Sequence, residues 1–331
     1  MRDLLPDLVV APMAGGPSTP ALVTAAAQAG ALGFLAAGYQ TPPAVETALR
    51  AVAGVPHGLN IFVPTPPAAP EPIERYRDLL QAEAQRYDIE LPPVRLSDDD
   101  HFAAKIELAE AYRVPLVSFT FGVPDRRIVA RLQAAGCRIL ITVTSAREAV
   151  QAVAVAPDGL IAQGGSAGGH AATLDAARYR GDSSAGSVLA AVRKVTDLPV
   201  IAAGGTGSAA DVAALLDAGA VAVQAGTAFL LADEAGTRPA HRAALLAGEE
   251  TVVTRAFTGW PARALRNRFT DTYSAAAPIG YPAVHHLTAP IRAAAAARGD
   301  AEALNLWAGT AFATVHPGPA ADMIARLRQR T

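Results

Sequence analysis

His170 ends the run Ile161-Ala162-Gln163-Gly164-Gly165-Ser166-Ala167-Gly168-Gly169-His170, in which four glycines in seven positions precede a titratable ring. An imidazole has an ordinary pKa of about 6.5, so it can accept a proton when neutral or steady an anion once charged. Glycines before it leave the backbone open to a flat ligand, because no Cβ stands in the way. A lone histidine is more often structural than reactive, yet a place behind a Gly-rich loop favours the reacting role.

A second constellation suits a phosphate. Val200-Ile201-Ala202-Ala203-Gly204-Gly205-Thr206-Gly207 and Val223-Gln224-Ala225-Gly226-Thr227 each end a β-rich run in a turn. Gly-rich turns that lead into helices present free backbone N–H groups to a dianion. Gly-Gly-Thr-Gly alone is a weak signal; coupled to a second such turn about 20 residues later, it points to a phosphate-bearing cofactor. Two further groups stay open between ligand and structure. Ala11-Pro12-Met13-Ala14-Gly15-Gly16 reads equally as a tight turn or as close approach to a flat ligand. Asn60, an amide among apolar neighbours, needs a partner that either a ligand or the neighbouring chain can supply.

These residues sit at the ends of short apolar runs. Strands are expected at 8–13, 32–37, 58–63, 116–121, 138–143, 159–163, 200–203 and 221–224. Most are continuous rather than alternating, as parallel strands buried on both faces require. Helices are expected between them at 20–29, 42–53, 125–135, 145–156, 185–195 and 208–218. Ser145 with Glu148 and Ser208 with Asp211 have the spacing of capping boxes. The long insertion 64–115 reads as a Pro-rich loop, an acidic patch at Asp98-Asp99-Asp100, and helices near 71–87 and 100–112. Polar and Gly-rich residues recur at many strand ends, which favours a closed barrel over an open sheet. After residue 228 the rhythm stops. Residues 233–290 read as helices and loops forming a cap, with terminal helices at 291–297 and 301–308 returning to the barrel.

Composition bounds the function. With 331 residues, 51% hydrophobic and 18% charged, the chain can bury a sizeable core. A net charge of −2 argues against nucleic acid as a partner. Asp3 and Pro6 interrupt any secretory pattern at the N-terminus, and no apolar run reaches the roughly 18 residues of a membrane span, so a cytoplasmic location is expected. Cys137, the single cysteine, reads as a buried thiol. No metal is expected, since His285-His286 lacks further ligands at metal spacing and adjacent side chains point apart.

The set Ala11-Pro12-Met13-Ala14-Gly15-Gly16, Gln163-Gly164 through Gly168-Gly169-His170, Pro199-Val200-Ile201-Ala202-Ala203-Gly204-Gly205 and Val223-Gln224-Ala225-Gly226-Thr227 resembles the nitronate monooxygenase family. Phe257-Thr258-Gly259-Trp260-Pro261-Ala262-Arg263 is similar to that family's Phe-Thr-Gly-Arg-x-Ala-Arg stretch. The resemblance runs in order through nearly the whole chain. It implies an α/β fold: a (β/α)8 TIM barrel that binds flavin mononucleotide (FMN), with a smaller, mostly helical substrate domain near the C-terminus. The barrel would take residues 1–228 and helices within 291–331, the substrate domain 229–290.

By motif match, Ala11, Pro12, Met13, Asn60, Gln163, Gly168, Gly205, Gln224, Ala225, Gly226 and Thr227 would contact FMN. Gly205, Ala225, Gly226 and Thr227 would lie nearest its phosphate, His170 would be the catalytic histidine, and Tyr281 would line the substrate pocket. The implied reaction oxidises an alkyl nitronate with O2 to a carbonyl compound and nitrite. Small-molecule substrate and O2 are the implied partners, with no membrane and a homodimer as an open assembly. The alternatives are an NAD(P)H-dependent FMN reductase similar to enoyl-acyl-carrier-protein reductases, a phosphate-binding barrel lyase, and a non-catalytic FMN-binding subunit. Ser166, Ala171, Trp260 and Thr310 depart from the family pattern and are expected to shape the substrate pocket.

Overall fold

The computed structural model describes residues 5–329. Its strands in chain order are β1 (Leu8–Val10), β2 (Leu32–Ala36), β3 (His57–Phe62), β4 (Leu116–Thr120), β5 (Arg138–Val143), β6 (Gly159–Gln163), β7 (Gly169–His170), β8 (Val200–Ala203) and β9 (Ala222–Ala225). All but β7 pair in parallel, and β1 closes on β9 through Leu8↔Val223 and Val10↔Ala225. The result is the expected eight-stranded barrel. Strand boundaries fall within one residue of the sequence reading except for β1, which ends at Val10 rather than residue 13.

Burial on both faces explains the continuous apolar runs. Val9, Phe34, Leu116, Leu140, Ile161 and Ile201 pack together inside the barrel. Neighbours such as Val10, Ile141, Leu160 and Val223 pack outward against helices. Gly58 makes room in that lumen: a Cβ there would lie 2.3 Å from the Phe34 ring.

The helices are α1 (Pro20–Gln28), α2 (Pro42–Ala51), α3 (Pro70–Leu79), α4 (Gln81–Arg86), α5 (Phe102–Ala111), α6 (Arg126–Ala134), α7 (Ala146–Val153), α8 (Ala185–Arg193) and α9 (Ala209–Asp217). Ser208 and Asp211 form the full reciprocal cap of α9. Ser145 caps α7, but the Glu148 carboxylate turns away from it and accepts from Thr144, Thr173 and Leu174 instead. The expected helix over 71–87 is divided into α3 and α4 at Leu80.

Beyond the barrel lie α10 (Pro239–Ala247), β10 (Thr251–Thr254), β11 (Ala262–Leu265), α11 (Arg268–Tyr273), α12 (Ala283–Ala297) and α13 (Ala320–Arg328). Two expectations change here. The stretch read as helices and loops contains two strands, and they join β7 in an antiparallel sheet ordered β10-β11-β7. Strands this short carry almost no periodicity, so only tertiary pairing defines them. The expected terminal helices also differ. Residues 291–297 are the second half of α12, which continues past Pro290, and 301–308 holds only a single 3-10 turn at Ala301–Ala303. Pro290 reads as a stop because it removes one helical hydrogen bond, a loss that packing of both helix halves here outweighs.

Side chains of α3 and α4 share an apolar cluster with Phe257, Phe269, Leu287, Ile291 and Leu306. This layer covers the barrel mouth. Only α13 returns to the barrel wall, placing Met323, Ile324 and Leu327 among the side chains of α1 and α9.

Candidate active site

A cavity of about 400 Å³ lies between the C-terminal ends of the barrel strands and this covering layer. Ala11, Pro12, Met13, Asn60, Gln163, Gly168, His170, Gly205, Gln224, Ala225, Gly226 and Thr227 all border it. Their convergence from five strands is what the parallel topology delivers, since every strand C-terminus opens on the same face.

The turns after β8 and β9 form a cradle. The backbone N–H groups of Gly205, Thr206, Gly226 and Thr227 donate to no described residue. Thr206 Oγ1 and Gln224 Oε1 are buried, unpartnered and on the cavity wall. Buried polar groups require partners, so the free N–H groups and the Thr206 hydroxyl suit an anion, while Gln224 Oε1 needs a donor from its guest. Gly205 has φ +72°, and a Cβ on it would meet Ser166 Oγ at 2.7 Å.

A C-terminal segment locks these loops together. Gly309 N donates to Thr227 Oγ1 at 2.9 Å, and Thr310 N donates to Ser166 O at 3.0 Å. A Cβ on Gly168 would lie 2.5 Å from Gly309 N. Gly168 therefore borders the cavity, but its missing side chain makes room for backbone.

His170 is mounted on β7, opposite Ala262 of β11. Gln163 fixes the segment at both ends of its amide: Nε2 donates to His170 O at 3.1 Å and Oε1 accepts from Ala172 N at 2.7 Å. Trp260 Nε1 donates to Ala171 O at 3.0 Å. The ring itself lies among Phe121, Trp307 and Tyr281, with centroids at 5.2, 5.2 and 6.0 Å, and its Nε2 is 2.9 Å from Thr258 Oγ1. One side still borders the cavity. Burial first, and the charge of Arg292 second, pull its pKa down to about 3, so it is neutral at pH 7.

Asn60 combines its two readings. Its Nδ2 donates to Ser118 Oγ at 2.9 Å and Thr120 Oγ1 at 3.0 Å, while its Oδ1 accepts from no described residue. Tyr281 does not border the cavity; it packs 4.9 Å from Phe121, which does not border it either, and 6.0 Å from His170, which does. Ser166, Ala171, Trp260 and Thr310 likewise stand behind the wall, Trp260 buried and Thr310 exposed. Any shaping of the cavity by them runs through neighbouring loops, as with Ser166 against Gly205, since none of the four borders it.

Helix α12 supplies the residues missed in the sequence. His285, Ala289, Arg292 and Ala293 present one helical face to the cavity. Spacings of four, seven and eight are that face's signature, hidden in an Ala-rich stretch. Arg292 is buried, and its Nε donates to Thr288 Oγ1 at 3.2 Å, its Nη2 to His285 O at 3.0 Å and Nδ1 at 3.2 Å. No carboxylate balances it, and Nη1 donates to no described residue. Burial lowers its pKa only to about 10, so it stays charged. His285 stacks on Tyr39 at 4.3 Å, and His286 Nε2 lies 3.0 Å from Asp98.

The family profile described as nitronate monooxygenase matches residues 3–330. The chain belongs to the nitronate monooxygenase family. It is 34% identical over 313 residues to a probable nitronate monooxygenase of Staphylococcus saprophyticus, covering 91% of this chain and 88% of that one. A probable nitronate monooxygenase of Staphylococcus aureus strain Newman is also 34% identical, with 94% and 90% covered. Among solved structures, nitroalkane oxidase from Streptomyces ansochromogenes superposes with a TM-score of 0.95 at 44% identity, covering 98% and 96%. FabK from Thermotoga maritima shares the fold, at TM-score 0.76 and 24% identity over 98% and 93%. Membership makes this chain a flavin-dependent enzyme of the monooxygenase or oxidase kind. Among the described residues no helix is long and apolar enough to cross a membrane.

Proposed function

We propose that the chain binds FMN and oxidises alkyl nitronates with O2, giving a carbonyl compound and nitrite. The observation that carries this reading is one cavity holding both the unpartnered cradle after β8 and β9 and the neutral ring of His170. When bound, the flavin supplies the electron-accepting chemistry. The cradle of Gly205, Thr206, Gly226 and Thr227 would hold a terminal phosphate, with Gln224 and Met13 beside it. No Gly-x-Gly-x-x-Gly follows a first strand, so a dinucleotide has no counterpart site.

Burial holds His170 neutral, so it meets a substrate as an acceptor rather than as a cation, and the anion formed beside it would have to stabilise the imidazolium for a proton to transfer. Thr258 Oγ1 has Trp260 O at 3.4 Å as an outlet for its own proton, so it accepts from Nε2–H and leaves the Nδ1 lone pair free. That lone pair can take the α-proton of a neutral nitroalkane. A nitronate arrives already deprotonated and makes no such demand.

The test is direct. Chromophore released by heat should chromatograph as FMN, and ethylnitronate should bleach the bound flavin anaerobically and yield nitrite in air. Recovery of FAD, or bleaching by NAD(P)H alone, would contradict the reading.

A further inference from the structure

Arg292 is a buried cation that no carboxylate of the described residues neutralises. Burying a charge is costly unless something pairs with it, so its position requires a counterpart. Two of its nitrogens are committed to Thr288 and His285, which fixes the plane of the guanidinium. Nη1 keeps both of its N–H groups, and the residue borders the same cavity as His170.

We propose that Arg292 Nη1 is the specificity-determining contact for the substrate's charge, donating to an oxygen of an anion such as a nitronate. The inference rests on the functional reading above. His170 cannot take this part, being neutral. Arg238 also borders the cavity, but it is exposed and water screens it. A guanidinium held from behind, with Nη1 alone presented forward, offers a charge-assisted donor at a fixed point of the cavity wall. Arg292 would then select the nitronate over its neutral nitroalkane.

Binding of isobutyrate and its neutral isostere isobutyramide to the flavin-loaded protein tests this, read from the flavin absorbance at pH 7. Wild type should prefer the carboxylate. Arg292→Met should weaken isobutyrate by about 10²-fold and leave isobutyramide within about threefold, the loss typical of a charge-assisted bond. Arg292→Lys, which keeps the charge but loses the anchors on Thr288 and His285 that fix its position, should fall between; it carries the test alone if the Met variant fails to fold. No preference in wild type, or equal loss of both ligands, would overturn the inference. Nitrite release from ethylnitronate separates the two claims. Wild type that binds isobutyrate through Arg292 but makes no nitrite contradicts the functional reading alone. Undiminished kcat/KM for ethylnitronate in Arg292→Met contradicts the role of Arg292 alone.

Discussion

His170 is held by its backbone and its ring separately. Gln163 and Trp260 fix residues 170–172, while Thr258 meets the ring at 2.9 Å. Removing the ring contact alone is therefore informative. Thr258→Val keeps the volume and loses the oxygen, and a net hydrogen bond is worth about 0.5–1.5 kcal/mol. Flavin reduction by a neutral nitroalkane should slow by about 3- to 10-fold at full flavin content, with Thr258→Ser restoring it. A wild-type rate in the Val variant would show that the bond does not orient the base. Gly168 makes a different case. A side chain there must displace the backbone of Ala308 and Gly309 before it can reach a ligand. Gly168→Leu should lower the melting temperature and the flavin content together, since overpacking costs about 1–3 kcal/mol or more. A colourless variant that melts like wild type would mean that the leucine points into the cavity.

The elements that frame the site differ in how openly the sequence shows them. β8 is an unbroken apolar run, and β4 and β5 are apolar except for Ser118 and Thr120 and for Arg138 and Thr142, so burial on both faces needs little tertiary detail to foresee. The capping spacing of Ser208 and Asp211 is equally local, and Asp211 Oδ2 accepts from Gly207 N and Ser208 N. Asp211→Ala should cost about 0.5–2 kcal/mol in thermal or denaturant unfolding while flavin stays bound; no loss of stability would mean solvent replaces the cap. β7 was invisible, because two residues carry no period and pair only with the distant β11. Arg292 was invisible for a related reason. Which face of α12 meets the barrel depends on how Leu287 and Ile291 dock beside Tyr76 and Phe257, a matter of long-range packing. His170 and the two glycine turns after β8 and β9 were legible because glycine and histidine have few reasons to cluster at strand ends.

Across the molecule, buried and half-buried histidines make the fold acid-sensitive. Burial holds His170 at about 3 and His241 at about 4, and pushes His57, His285 and His286 below their ordinary value. An unfolded chain takes up these protons near pH 6.5, whereas the folded chain refuses them until far lower. Their contribution is thus complete above about pH 6.5 and is lost as pH falls toward 4. Asp100, raised by burial, works in the opposite sense, but it is one group against several. Melting temperature should be flat from about pH 7 to 8 and drop steeply below 6.5; a flat profile down to pH 4.5 would show that water reaches these rings.

The central claim is that a neutral His170 works as a base beside the cofactor of a nitronate-oxidising enzyme. Anaerobic stopped-flow of wild type and His170→Asn, with nitroethane and ethylnitronate side by side, tests it most directly. The variant should keep its flavin and melting temperature, and reduce about 10²- to 10⁴-fold more slowly with nitroethane. Its loss with ethylnitronate, which has no proton to give up, should be much smaller. Equal losses for both donors, or none for either at full flavin loading, would contradict the account.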